Sequence, residues 1–138
     1  MNKRFWIAVV VLFIVSMGLG FLVHGYLLFD DYAKLPNLMR TQQDQEGYFG
    51  WMLLAHVLLA AGFVWIYQHG HEPAKPWLGQ GLRFGIAVAI LTCIPTYLIY
   101  YAVEPIPSTL VVKQIVFDTI ATLLLGVVVA WLYRNRTR

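Results

Sequence analysis

The chain has 138 residues, 59% of them hydrophobic and 12% charged, with a formal charge of +3 and a pI near 9.1. A water-soluble domain carries about a quarter of its residues as charges, so this composition excludes an ordinary soluble fold. The basic residues stand at the edges of apolar blocks, not in a patch with interleaved aromatics, which excludes a nucleic-acid footprint. The single cysteine, Cys93, excludes an intrachain disulfide.

Four apolar blocks, approximately 5–27, 49–68, 82–103 and 109–133, each reach the ~20 residues that a helix needs to cross a bilayer. Backbone amides in lipid must be satisfied within the segment, so blocks of this length read as helices. The expected fold is all-α: one integral membrane four-helix bundle over 1–138, with one longer outer loop between the first two helices. MNKR resembles the charged start of a signal peptide. The apolar run behind it is too long for a signal core and lacks a small-x-small site, so the first block reads as an uncleaved span.

Threading follows from the basic residues. With both termini cytoplasmic, Lys3, Arg4, Lys75, Arg83, Arg134, Arg136 and Arg138 lie inside, against Lys34, Arg40 and Lys113 outside. The placement expected is the bacterial inner membrane.

In the first span, Ser16, Gly20 and His24 share a face at i+4 spacing. The loop FDDYAKLPNLMRTQQDQEGY repeats Tyr32, Leu35, Leu38 and Met39 at helical spacing, which predicts a short helix on the membrane surface. In the second span His56 shares a face with Ala60 and Phe63. QHGHEPAKPWLGQG is rich in Pro and Gly and reads as a turn; its His69, His71 and Glu72 match a metal site only loosely. Gly81 and Gly85, four apart, predict close helix packing, and Arg83 between them reads as a lipid-phosphate anchor. Pro95 removes an amide donor and predicts a kink near residue 91. Tyr97, Tyr100, Tyr101 and Trp51 mark one interface; Trp6, Trp65, Trp77 and Trp131 mark the other.

The fourth span carries Gln114, Asp118, Thr122 and Gly126 at i+4, a polar and small stripe on an apolar cylinder. A carboxylate at the depth of Asp118 costs roughly 2.5–3.5 kcal/mol on insertion scales, which directs it to the bundle interior. Lys113, nearer the surface, is expected to extend its amine to the headgroups. The expected intramembrane cluster is His24, His56, Asp118, Gln114 and Tyr97, with Gly20, Gly81, Gly85 and Gly126 at helix contacts.

FLVHGYLLFDDYAKLP, then GQGLRFG, then YLIYYAVEPIP with an acidic residue in the last span, resemble a group of small four-span bacterial membrane proteins filed as domains of unknown function. That resemblance implies no activity and no site. Small multidrug exporters are similar in size and span count, but their hallmark glutamate in the first helix has no counterpart before Asp30.

No nucleophile elbow, P-loop or dinucleotide fingerprint is present, and no enzymatic activity is expected. The leading expectation is a non-enzymatic accessory or assembly component of a membrane complex, whose partners are the lipid bilayer and other membrane subunits or a second copy. A rival is a small carrier or proton-coupled channel working through Asp118 with His24 and His56. A third reading ligates haem b between His24 and His56; the leading expectation needs no cofactor and no metal.

Overall fold

A computed structural model describes residues 2–134. Arg136 and Arg138, two of the charges used for threading, lie outside the described residues.

The described residues are helical, with no strand among them. α1 (Lys3–Gly20) opens on Asn2, whose side chain accepts from the Phe5 amide at 3.1 Å. It runs into a π-helical segment, Phe21–Leu27, which ends where the Leu28 amide bonds Val23 O at 2.9 Å. α2 (Phe29–Ala33) is one short turn. α3 (Gln42–Gly70) is capped by the Thr41 hydroxyl. α4 (Trp77–Leu91) and α5 (Cys93–Val103) are two halves of one span, broken at Thr92, and α6 (Ser108–Tyr133) completes the chain.

Four of these segments, Lys3–Leu27, Gln42–Gly70, Trp77–Val103 and Ser108–Tyr133, are long and apolar enough to cross a membrane. They are the four expected blocks with shifted ends. The second helix starts at Gln42, not near 49, because the Thr41 cap carries it seven residues into polar sequence. The break at Thr92 falls where Pro95 predicts a kink. There the Thr92 hydroxyl bonds Val88 O at 2.7 Å and Cys93 Sγ reaches Ala89 O at 3.4 Å.

The expected surface helix over Tyr32–Met39 is corrected. The helical turn lies earlier, at Phe29–Ala33, and the chain after it winds through turns. Leu28 is fully buried with Val23, Ile106, Leu110 and Val111, and Tyr32 and Leu35 pack on them. Burial against α6 tucks this segment over the end of the bundle instead of laying it flat on lipid.

α6 is the central helix, packing against α1, α4 and α5. The main core gathers at the terminal end, where Phe5, Val9, Leu12, Val64, Val129 and Tyr133 interdigitate. Arg4 joins the two chain ends: Nη2 donates to Leu132 O at 2.8 Å and Arg134 O at 3.0 Å, and the guanidinium lies 4.8 Å from the Tyr133 ring centre. A cation there satisfies the last carbonyls of α6 and complements its dipole.

The closest helix contact is α4 on α6. A Cβ on Gly81 would stand 2.6 Å from Gly126 O, one on Gly85 2.8 Å from Leu123 Cα, and one on Gly126 would collide with Gly81 O. Only glycine fits at these positions, as small-residue packing between membrane helices requires. Gly20 is less tightly held, since a Cβ there would meet the movable His56 ring at 3.3 Å.

Candidate functional site

Opposite the chain ends, five side chains from four segments form one hydrogen-bonded set. Asp118 stands ten residues into α6, about 15 Å along the helix. Tyr97 of α5 donates its hydroxyl to Asp118 Oδ2, and Nε2 of His24 lies 3.3 Å from the same oxygen. His24 Nδ1 lies 2.7 Å from the Tyr32 hydroxyl, to which Gln114 Nε2 donates at 3.1 Å. Every bond finds a donor when His24 is neutral. Gln114 donates to Tyr32, Tyr32 to His24 Nδ1, and a neutral His24 keeps its proton on Nε2, facing Asp118. Thr122 closes the stripe locally by donating to Asp118 O at 2.7 Å.

The amide oxygen of Gln114 is buried and has no partner among the described residues. A buried acceptor left unbonded is destabilising by roughly 1–3 kcal/mol, so it marks a place for a donor such as a water.

Tyr32 lies outside the spans, and its phenol is pushed above its ordinary pKa of 10.0, first by burial and further by the nearby Asp118; the Gln114 hydrogen bond opposes this. Its hydroxyl therefore stays protonated as a donor through the physiological range. Beside it, Asp31 receives Lys113 Nζ at 2.8 Å, which holds its carboxyl below the usual range. The partner of the Lys113 amine is thus this carboxylate.

His24, Tyr97, Gln114 and Asp118 thus come together as expected, and His56 does not join them. His56 Nδ1 lies 3.0 Å from Ser16 Oγ, and its ring rests against Gly20. Ser16 is eight residues from His24, about 12 Å of helix. The i+4 stripe fails because the π-helical segment takes more residues per turn than the 3.6 it assumes. Ser16 and Gly20 keep facing α3, whereas His24 rotates towards α2 and α6. Both ring nitrogens of His24 are occupied by Tyr32 and Asp118, so ligation of haem iron would first have to release it from Asp118. Among the described residues no three His, Cys, Asp or Glu side chains converge as a metal site.

Sequence reasoning misses Tyr32, the centre of the set, because its spacing places it on the apolar face of a surface helix. The available signal is a phenol beside Asp30 and Asp31 at the mouth of the span that carries His24. It also misses Gln80. At the terminal end Gln80 Oε1 accepts from the Glu72 amide at 2.8 Å, while Nε2 donates to Glu72 O at 2.9 Å and Lys75 O at 3.0 Å. One buried amide thereby fixes the loop between α3 and α4.

Four helices long and apolar enough to cross a membrane, with a polar set at one end, have the pattern of a multi-pass helical membrane protein. The family described as "Protein of unknown function (DUF1761)" matches residues 7–130, and the chain belongs to that family. No curated protein and no solved structure matches it.

Proposed function

We propose that this is a non-enzymatic component of the bacterial inner membrane, an accessory or assembly subunit with both termini in the cytoplasm. The observation that carries the reading is the outer half of α3. From Gln42 to Leu59 that helix buries no residue, and Trp51, Met52, Leu54, Val57, Leu58 and Leu59 are all exposed. Ala60, Phe63, Val64 and Tyr67 bury its other half in the bundle, and His56 near its middle meets Ser16 of α1. A long helix anchored at one end offers a face to another membrane helix, whether of a different subunit or of a second copy. The polar set supports the same role, since it ties the π-helical segment, α2, α5 and α6 together.

The test is a tagged full-length chain extracted in mild detergent, resolved by native electrophoresis and identified by mass spectrometry. A stoichiometric membrane partner or a homo-oligomer is expected, and Leu58→Trp should weaken it. A wholly monomeric chain without a partner overturns the reading.

One observation favours a second reading, a proton-coupled carrier or channel. Gln114, Tyr32, His24 and Asp118 form a continuous donor–acceptor series beside the unpartnered Gln114 oxygen. In liposomes loaded with a pH dye, a leak present in wild type and abolished in Asp118→Asn would establish it; equal leaks would remove it.

A further inference from the structure

The terminal end carries a second polar feature, apart from the set around Asp118. Between α3 and α4 lies an open cleft of about 360 Å³, walled by Ile66 and Phe84, with Tyr67 behind them and Glu72, Gln80 and Arg83 at the rim. Its volume falls at the lower end of the ~300–1,000 Å³ typical of small-molecule sites.

One charged group of the lining is free to meet a ligand. Arg83 is exposed and, among the described residues, has no hydrogen bond and no ion pair within 4.0 Å; its charge reaches only as far as helping Lys75 hold the Glu72 carboxyl low. Tyr67 is 3% exposed, and its hydroxyl is buried without a partner among the described residues, so the cleft is bounded by its ring. The rim itself is rigid, because the three Gln80 hydrogen bonds fix the main chain of Glu72 and Lys75. Glu72 meets Lys75 at 2.7 Å, but both side chains are about half exposed, and such an ion pair is weak enough to exchange.

A free guanidinium beside an exchangeable carboxylate matches a ligand with a phosphate and an ammonium a few bonds apart. The apolar walls continue onto the exposed apolar surface of α3, where Trp65 and Ile66 are half exposed. We propose that the cleft binds the phosphoethanolamine headgroup of a membrane lipid. Arg83 takes the phosphate through paired N–H donors, and Glu72 accepts from the ammonium. Ile66 and Phe84 contact the glycerol and the first acyl carbons. The site depends on the membrane reading, and it is independent of the accessory role and of the polar set at the far end.

Native mass spectrometry of the full chain in detergent, titrated with single lipids, tests this. Phosphatidylethanolamine should be retained better than phosphatidylglycerol, which lacks the ammonium, and better than phosphatidylcholine, whose methylated nitrogen cannot donate to Glu72. Arg83→Gln should weaken phosphatidylethanolamine by about tenfold or more. Glu72→Gln should remove the preference over phosphatidylcholine while leaving binding of both. Lys75→Gln, which frees Glu72, should keep or strengthen retention and controls for loss of fold. Equal retention of the three lipids, or an unchanged affinity in Arg83→Gln, overturns the proposal. Displacement by micromolar soluble phosphoethanolamine would assign the cleft to a free metabolite and overturn the lipid assignment; retention against millimolar amounts supports it.

Discussion

The Tyr32 hydroxyl bridges His24 Nδ1, at 2.7 Å, and Gln114 Nε2, at 3.1 Å, and so joins the end of the first span to the last one. Removing that oxygen strands two polar groups at once. Gln114 is 7% exposed and would lose the only partner its side-chain amide has among the described residues. Tyr32→Phe should therefore destabilise by about 1–3 kcal/mol, the penalty of an unsatisfied buried group. Tyr32→Phe with Gln114→Leu should recover much of that loss, because an apolar pair leaves nothing unbonded. The check is a double-mutant cycle in thermal unfolding; additive losses would show that the two residues act separately.

Glycine substitutions should rank by the space around them. At Gly85 and Gly126 an added Cβ meets backbone atoms that belong to the opposing helix, whereas at Gly18 it meets nothing within 4 Å. Gly85→Ala and Gly126→Ala should force α4 from α6 and lower the folded yield severalfold. Gly18→Ala should be neutral or slightly stabilising, since alanine is the better helix former by about 1 kcal/mol. Gly20→Ala should fall between them, because the His56 ring can yield. Size-exclusion profiles of the four proteins measure this, and equal yields would contradict the close contact.

Much of this packing was legible because it rests on periodicity and on residue size. Gly81, Gly85 and Gly126 stand out as a small stripe on apolar helices, and Asp118 announces itself by the cost of placing a carboxylate in lipid. The four spans follow from the length of their apolar runs alone. What stayed hidden depends on local winding and on side chains far apart in sequence. The π-helical segment Phe21–Leu27 leaves no mark in a 3.6-residue pattern, yet it decides that His24 faces Asp118 and not His56. Tyr32 becomes central only because Leu28 and Leu35 bury and draw the loop over α6. Gln80 looks like one polar residue near a helix start until the turn folds back onto it.

Asp31 and Lys113 give the far end a pH dependence at acid pH. The Lys113 hydrogen bond, assisted by its charge and that of Lys34, lowers the Asp31 pKa from its ordinary 3.8. A carboxyl with a depressed folded-state pKa contributes stability that is complete above its unfolded value and fades as pH falls through the folded one. Wild type should therefore exceed Asp31→Asn in melting temperature from pH 5 to 8, and the difference should shrink below about pH 4. High salt should reduce it as well, since the pair is partly exposed. A difference that persists undiminished at low pH would exclude the ion pair as its source.

The threading proposed for the chain has a direct check. A reporter active only in the cytoplasm should work when fused after Arg134, and also within the loop at Ala74. The same reporter at Asn37 should be silent, while a periplasm-specific reporter there should be active. The reverse pattern would overturn the seven-to-three distribution of basic residues on which the threading rests.

Asp118 separates the two readings of the polar set. Tyr97 and His24 both present donors to Asp118 Oδ2, so the carboxylate acts as an acceptor. An amide oxygen can occupy the same position and accept the same bonds. Asp118→Asn should therefore keep the fold, losing only the charge-assisted part of the interaction. Single interhelical bonds in membranes average about 0.6 kcal/mol, so a melting shift of a few degrees at most is expected. Asp118→Leu removes both acceptors and leaves the Tyr97 hydroxyl and His24 Nε2 without partners, which should destabilise it more strongly. If the set only ties helices, Asn and wild type should share the same partner or oligomer on native gels, and Leu should lose it together with the fold. If the set passes protons, Asn should assemble normally and yet abolish proton flux, because an amide cannot ionise. His24→Gln extends the test: it can hydrogen-bond but cannot exchange a proton near neutrality, so it should copy Asn in flux and remain folded. Partner association intact in both variants, with unchanged proton permeability, would leave Asp118 as a structural tie.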